Sequence, residues 1–197
     1  MYKRQDGVRL DVAETLVPLY EADEQWDTYV AILHDTLEER IDLDDRVDIL
    51  RKVAQVEEKH LNRLQDAFNS LAHAYRLGQV EEIEEDLERL AYEVKVEQDL
   101  VDLFNEVVSD LPEREIVLRS KVAEIAQERL QDYDTAIEAH REILHQEPER
   151  LFSLDALENL FALTEDYTSL ADVFHQKLEV IEDSEIRSGL FLSLIHI

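Results

Sequence analysis

Cysteine is absent from this chain of 197 residues, and glycine and proline occur only three times each. Without cysteine there is no disulfide, no thiol nucleophile and no thiolate metal site. The absence fits a reducing, cytoplasmic setting. So little glycine and proline leaves scant turn chemistry for a β-sandwich or barrel. Positive charge is the third scarcity: twenty Lys and Arg face 48 Asp and Glu, a formal net charge of −28. Nucleic-acid binding draws its affinity from cations laid against phosphates, and anionic membranes attract basic segments, so this field opposes both as partners. No run approaches the ~20 apolar residues that span a bilayer. Residues 1–7 lead into no apolar signal-peptide core.

What remains is a helix-forming composition, with 45% apolar residues, enough for a core. One apolar pattern recurs at positions h, h+3, h+7 and h+11, spacings that keep side chains on one stripe of a helix. Its copies are Trp26, Tyr29, Leu33, Leu37; then Leu64, Ala67, Leu71, Tyr75; then Leu100, Leu103, Val107, Leu111. Two more follow: Tyr133, Ala136, His140, Leu144, and Tyr167, Leu170, Phe174, Leu178. Their starts lie 38, 36, 33 and 34 residues apart. The first and last copies also align without a gap, so that Leu19 falls on Leu160, Leu33 on Phe174 and His34 on His175.

Partner helices fill the intervals, with apolar sets such as Ala13, Leu16, Leu19, Tyr20 and Leu154, Leu157, Leu160, Phe161. Acidic or polar turns are predicted at 21–25, 42–45, 78–79, 97–99, 131–132, 147–149, 164–166 and 183–184. Pro112 and Pro148 fall just past helix ends, where proline is tolerated. Pro18 falls inside a predicted helix, which should kink there or begin later. The expectation is an all-α protein of about ten helices in antiparallel pairs. Trp26, Leu33, Leu71, Leu103, Val107, Ala136, Leu157, Leu160 and Phe174 should be buried.

In period and motif the chain resembles the tetratricopeptide repeat, a helix–turn–helix unit of ~34 residues. Residues 117–150 carry the resemblance best. Within them, Gln131-Asp132-Tyr133-Asp134-Thr135-Ala136-Ile137 and the closing Pro148 match the second half of the motif, with Ala136 at its small-residue position. The resemblance implies an α-α superhelix, a right-handed solenoid with a concave face for a partner, because one helix pair cannot bury its stripe alone. A single array over 1–197 is expected, with second helices starting near 26, 64, 100, 133 and 167. Residues 185–197 read as a truncated last unit, a piece of a longer array. An exposed apolar patch is expected at Leu192, Leu194, Ile195 and Ile197, a surface for self-association.

Catalytic signatures are missing, so no enzyme activity, cofactor or catalytic residue is expected. Gly7, Gly78 and Gly189 lie too far apart for a phosphate-cradling loop. Neither a Gly-x-Ser-x-Gly elbow nor a His-Glu-x-x-His helix is present. Glu57-x-x-His60, Glu142-x-x-His145 and Asp172-x-x-His175 have a spacing that di-iron bundles use. Seven histidines among 48 acidic residues in 197 would form about 1.7 such pairs by chance, so three are no signal and no metal is expected. A helical metalloprotein is the remote alternative. His140 falls on an apolar stripe and reads as a core histidine donating to a neighbouring carbonyl.

Function therefore points to a non-catalytic scaffold for protein–protein contacts, with a purely architectural spacer as the alternative. Partners would be other proteins or peptides, basic ones being attracted by the charge. The resemblance implies that first helices line the binding face. The corresponding positions include Glu88, Tyr92, Lys121, Asp155 and Asn159. A clamp for a peptide carboxylate needs several Lys, Arg and Asn there, and this set, with Lys121 its main basic exception, does not supply it.

Overall fold

The computed structural model describes the backbone of residues 3–78 and 81–196, and the side chains of these except residues 3–11, 14 and 196. The expectations for Gln79 and Ile197 fall outside the described residues. Among the described residues there are eleven α-helices and no strand. They are α1 (Lys3–Ala22), α2 (Trp26–Leu37), α3 (Leu43–Lys59), α4 (Leu64–Gly78), α5 (Glu84–Val94) and α6 (Glu97–Val107). After two 3-10 turns come α7 (Glu115–Ile125), which ends in a π-helical turn, then α8 (Tyr133–Gln146), α9 (Leu151–Leu163), α10 (Tyr167–Val180) and α11 (Ser184–His196).

The helices form helix–turn–helix pairs, and the turns inside the pairs share one device. The residue two places before each second helix adopts a left-handed conformation: Glu24, Asn62, Lys95, Gln131 and Glu165, with φ between 53° and 64°. These residues recur at intervals of 38, 33, 36 and 34. A left-handed residue reverses the chain and lets the following N–H reach back to an orphan carbonyl of the finished helix. Gln25 N–H reaches Tyr20 O at 2.9 Å, Val96 reaches Ala91 O at 2.9 Å, and Asp166 reaches Phe161 O at 3.0 Å. Two turns reach one residue further, from Arg63 to Glu57 O at 2.8 Å and from Asp132 to Ala126 O at 2.9 Å. The second of these closes over the π-helical turn at Ala126–Leu130.

Aspartates start several helices by accepting orphan N–H groups. Asp42 caps Asp44 and Asp45, Asp132 caps Thr135, Asp166 caps Ser169, and Asp183 caps Glu185 and Ile186. Residues 97–99 are not the expected turn but the first turn of α6, where acidic side chains complement the positive end of the helix. The turn itself is at Lys95 and Val96. α1 runs through Pro18 rather than starting after it.

The chain divides into two compact units, Met1–Leu103 and Phe104–Ile197. Within each unit, helices pack on their neighbours in sequence, as in a linear repeat array. The first unit is centred on Leu50, Val53, Ala67, Tyr75, Leu87 and Leu90, all sealed from solvent. The second is built on Ala126, Ala136, Leu154, Leu157, Leu160, Phe161, Leu170 and Phe174.

All but one of the nine residues expected in the core are buried. The exception is Trp26, half-buried at the first position of its stripe, where it stacks on His60 with centroids 3.8 Å apart. Tyr167, at the same stripe position, is exposed. The first residue of each second helix stands at the rim of its pair rather than between helices. Leu19 is also exposed, although it aligns with buried Leu160, because α1 packs chiefly on α2.

Candidate functional site

The side chains that sequence nominates for partner contact fall in both units. Glu88 and Tyr92 lie half-buried on α5 in the first unit. In the second unit, Lys121 is half-buried on α7, its ammonium 6.0 Å from the Phe104 ring centroid. Asp155 and Asn159 are exposed on α9, four residues apart and so on one face.

Asp155 and Asn159 form one wall of a groove of about 350 Å³. The facing wall comes from α7 and its π-helical end: Ser120, Glu124, Gln127 and Glu128. His140 of α8 and Phe152 of α9 complete the lining, together with Ala156. Lys121, one residue along α7 from Ser120, is not part of that lining. Three carboxylates and no lysine or arginine line the groove. Sequence reasoning missed Glu124, Glu128 and Phe152 as groove residues.

Two features set this groove apart. The first is Lys177, a buried cation at its α9 edge, whose ammonium is 2.5 Å from Asp155 and also bonds Glu158. Burial by itself pushes that ammonium's pKa down, but the bonds to Asp155 and Glu158 outweigh it and hold the pKa above the ordinary lysine value. The second is His140. It is 3% exposed, and its Nδ1 is sealed from solvent with no hydrogen-bond partner. The bond to a backbone carbonyl expected from sequence is therefore not made at Nδ1. Desolvation lowers the imidazole's pKa, which keeps the ring neutral at neutral pH. Its edge meets the Phe152 ring at 6.1 Å and 61°. Ser153 Oγ, on the neighbouring turn, is also buried without a partner.

The other fully buried polar residues are satisfied, while the Nε atoms of half-buried Arg46, Arg119 and Arg150 are also sealed without a hydrogen bond. Ser70 Oγ donates to Glu57 Oε2 at 2.7 Å, and Tyr75 OH donates to Glu84 Oε1 at 2.6 Å. A larger hollow of about 600 Å³ beside α1 and α2 has one fully buried polar residue, Thr36, and its hydroxyl already donates to the Leu33 carbonyl at 2.8 Å. Of the acid–histidine pairs, Glu57 is committed to Ser70 and His60 to Trp26. Among the described residues no three His, Asp or Glu side chains gather as metal ligands, and no helix is long and apolar enough to cross a membrane.

On α11, Ile186, Phe191, Leu192 and Ile195 are exposed, from 50% to 77%. Leu190 is buried. Leu194, expected in the exposed patch, instead packs partly against the second core.

By sequence, the chain matches no protein-family model and no curated protein. By backbone it is similar to a MamA protein, at 15% identity and a TM-score of 0.46, covering 88% of this chain and 92% of the other. It is also similar to a tetratricopeptide repeat protein from Parabacteroides merdae, at 14% identity and 0.43, covering 93% and 73%. A third likeness is to YrrB, described as a TPR protein with an unusual peptide-binding site, at 13% identity and 0.43, covering 93% and 90%.

Proposed function

We propose that this chain is a non-catalytic scaffold that holds segments of other proteins on the first-helix faces of its repeats, and that it prefers basic segments. The observation that carries this reading is the groove between α7 and α9, whose charged lining is entirely acidic. The net charge of −28 acts in the same direction, because a field of one sign steers oppositely charged partners and speeds their association. A cytoplasmic location fits a chain without cysteine. The recurrence of the left-handed turns through residues 24–165 supports treating the chain as one array. The exposed apolar side of α11 adds a surface for self-association.

The test is fluorescence anisotropy of the full chain with labelled peptides of basic, neutral and acidic composition, at low and raised salt. Basic peptides should bind, and their association should weaken as salt screens the field over ~10 Å at 0.1 M. If no peptide binds at any charge, the chain is a spacer and the proposal is wrong. Light scattering before and after removal of residues 189–197 tests the α11 surface; a monomer in both cases removes that part of the proposal.

A further inference from the structure

We infer that the groove between α7 and α9 is a pocket for a single arginine side chain of the bound segment, with His140 at its floor. The inference rests on the proposed binding of basic segments and names the group that such a segment would insert.

Acidity alone would not distinguish a site from a solvated surface. The separate observation is His140. A polar ring atom buried without a partner forfeits the hydrogen bonds it would make in water, and native structures avoid this unless something else completes the bond. His140 is buried to 97%. It lines the groove, and its Nδ1 is unpartnered. A half-turn about χ2 exchanges the two edges of the ring within the same slot, so the orphan nitrogen can be presented to either side. In the neutral ring one nitrogen is an acceptor, and a donor from a bound partner would complete it.

Guanidinium fits this lining better than ammonium. It is planar and offers five N–H donors in a fixed fork, so one group can reach an imidazole nitrogen and a carboxylate together. Glu124 and Glu128 supply carboxylates on one wall, and Asn159 supplies a carbonyl on the other. Asp155 is already held on one side by Lys177, so it contributes less charge than its neighbours. Phe152 is 64% exposed, an uncovered aromatic face beside His140 on which a guanidinium can stack. A hollow of about 350 Å³ is at the small end of ligand pockets, suited to one side chain rather than a whole helix.

The experiment uses the full chain and three labelled, end-blocked peptides that differ at one central residue: arginine, lysine or citrulline. Citrulline keeps the planar shape and loses the charge. The arginine peptide should bind about tenfold more tightly than either of the others. His140→Phe keeps a flat aromatic ring and removes both nitrogens, so it should reduce arginine binding to the lysine level. Circular dichroism reports whether that variant folds. If it does not, nitrogen-15 resonances of the wild-type histidines decide, since the His140 ring nitrogen should shift as the arginine peptide saturates. Equal binding of arginine and lysine, or a His140 resonance unmoved at saturation, overturns the arginine pocket while leaving the preference for basic segments intact. Failure of every basic peptide to bind overturns both.

Discussion

Two regions of this molecule bury polar side chains to the same degree and treat them differently. Around α3 to α5, Glu57 and Glu84 are 6% and 2% exposed, and each accepts a hydroxyl hydrogen bond from α4. Around α8 and α9, His140 and Ser153 are 3% and 0% exposed, and His140 Nδ1 and Ser153 Oγ accept or donate nothing. The apolar core beside them is equally sealed from solvent, since Leu50 and Leu160 are 0% and 1% exposed. Access of water to the core therefore does not explain the difference. In the first region the polar groups fix one helix against the next. In the second no side chain of the described residues completes them, and only His140 of the two lines the groove.

The largest expected effect checks that the two cores are equivalent. Leu50→Ala and Leu160→Ala should each cost about 2–5 kcal/mol in denaturant unfolding. A loss under about 1 kcal/mol at Leu160 would mean that the second core is loosely filled, and His140 would then be a symptom of slack.

The next effect separates the two regions directly. Tyr75→Phe removes the donor to buried Glu84 and should cost about 1–3 kcal/mol. His140→Phe removes a group that bonds nothing at Nδ1, so unfolding should shift by no more than about 0.5 kcal/mol. Equal losses from the two substitutions would show that His140 is structural and end the contrast.

A pH titration sharpens it further. Burial, only partly offset by the Ser70 hydrogen bond, raises the Glu57 pKa. The folded state then holds that proton more tightly than the unfolded state, and stability falls as pH rises from about 4.5 through the folded value. Glu57→Gln should remove this slope and be at least as stable as the wild type at pH 7. Asp132 runs the other way. Hydrogen bonds from Thr135 depress its pKa, so its contribution is present above about pH 3.8 and disappears as pH falls through the folded value. Asp132→Ala should cost about 0.5–2 kcal/mol at neutral pH and nothing at low pH. A pH-independent loss at Asp132 would sink the capping argument.

Much of the fold was legible because spacings of three and four residues are imposed by helix geometry itself. Leu33, Leu71, Leu103 and Phe174 were placed by that rule alone and are buried. The rim positions Trp26 and Tyr167 share the same period but stand above the core, because periodicity gives direction around a helix and not depth along it. Residues 97–99 were misread because acidic side chains favour both turns and helix N-termini. His140 stood out in sequence as the polar residue on an apolar stripe. That its nitrogen is an orphan is a fact about neighbours from three helices, and no spacing encodes it.

The smallest expected effect concerns the five left-handed turns, which sequence could not reveal because none of them is glycine. Asn62 alone is a residue that favours this conformation; Glu24, Lys95, Gln131 and Glu165 do not. An L-residue held left-handed costs about 1–2 kcal/mol, while glycine gives back about 0.5–1 kcal/mol in unfolded-chain entropy. Glycine at these positions should therefore stabilise by up to about 1 kcal/mol, or about 2–4 °C in a domain of this size. The two kinds of turn provide an internal control. Glu165→Gly acts on the shorter reach, where Asp166 N–H bonds Phe161 O, and Gln131→Gly acts on the longer reach to Ala126 O over the π-helical turn. Both hydrogen bonds are made by the residue after the substitution, so both should survive it. The gains should be similar, because the relieved clash lies within the substituted residue and not in the bond it precedes. If Glu165→Gly stabilises and Gln131→Gly destabilises, the Gln131 side chain is holding the π-helical turn in place, and the wall of the groove that carries Glu124 and Glu128 depends on it.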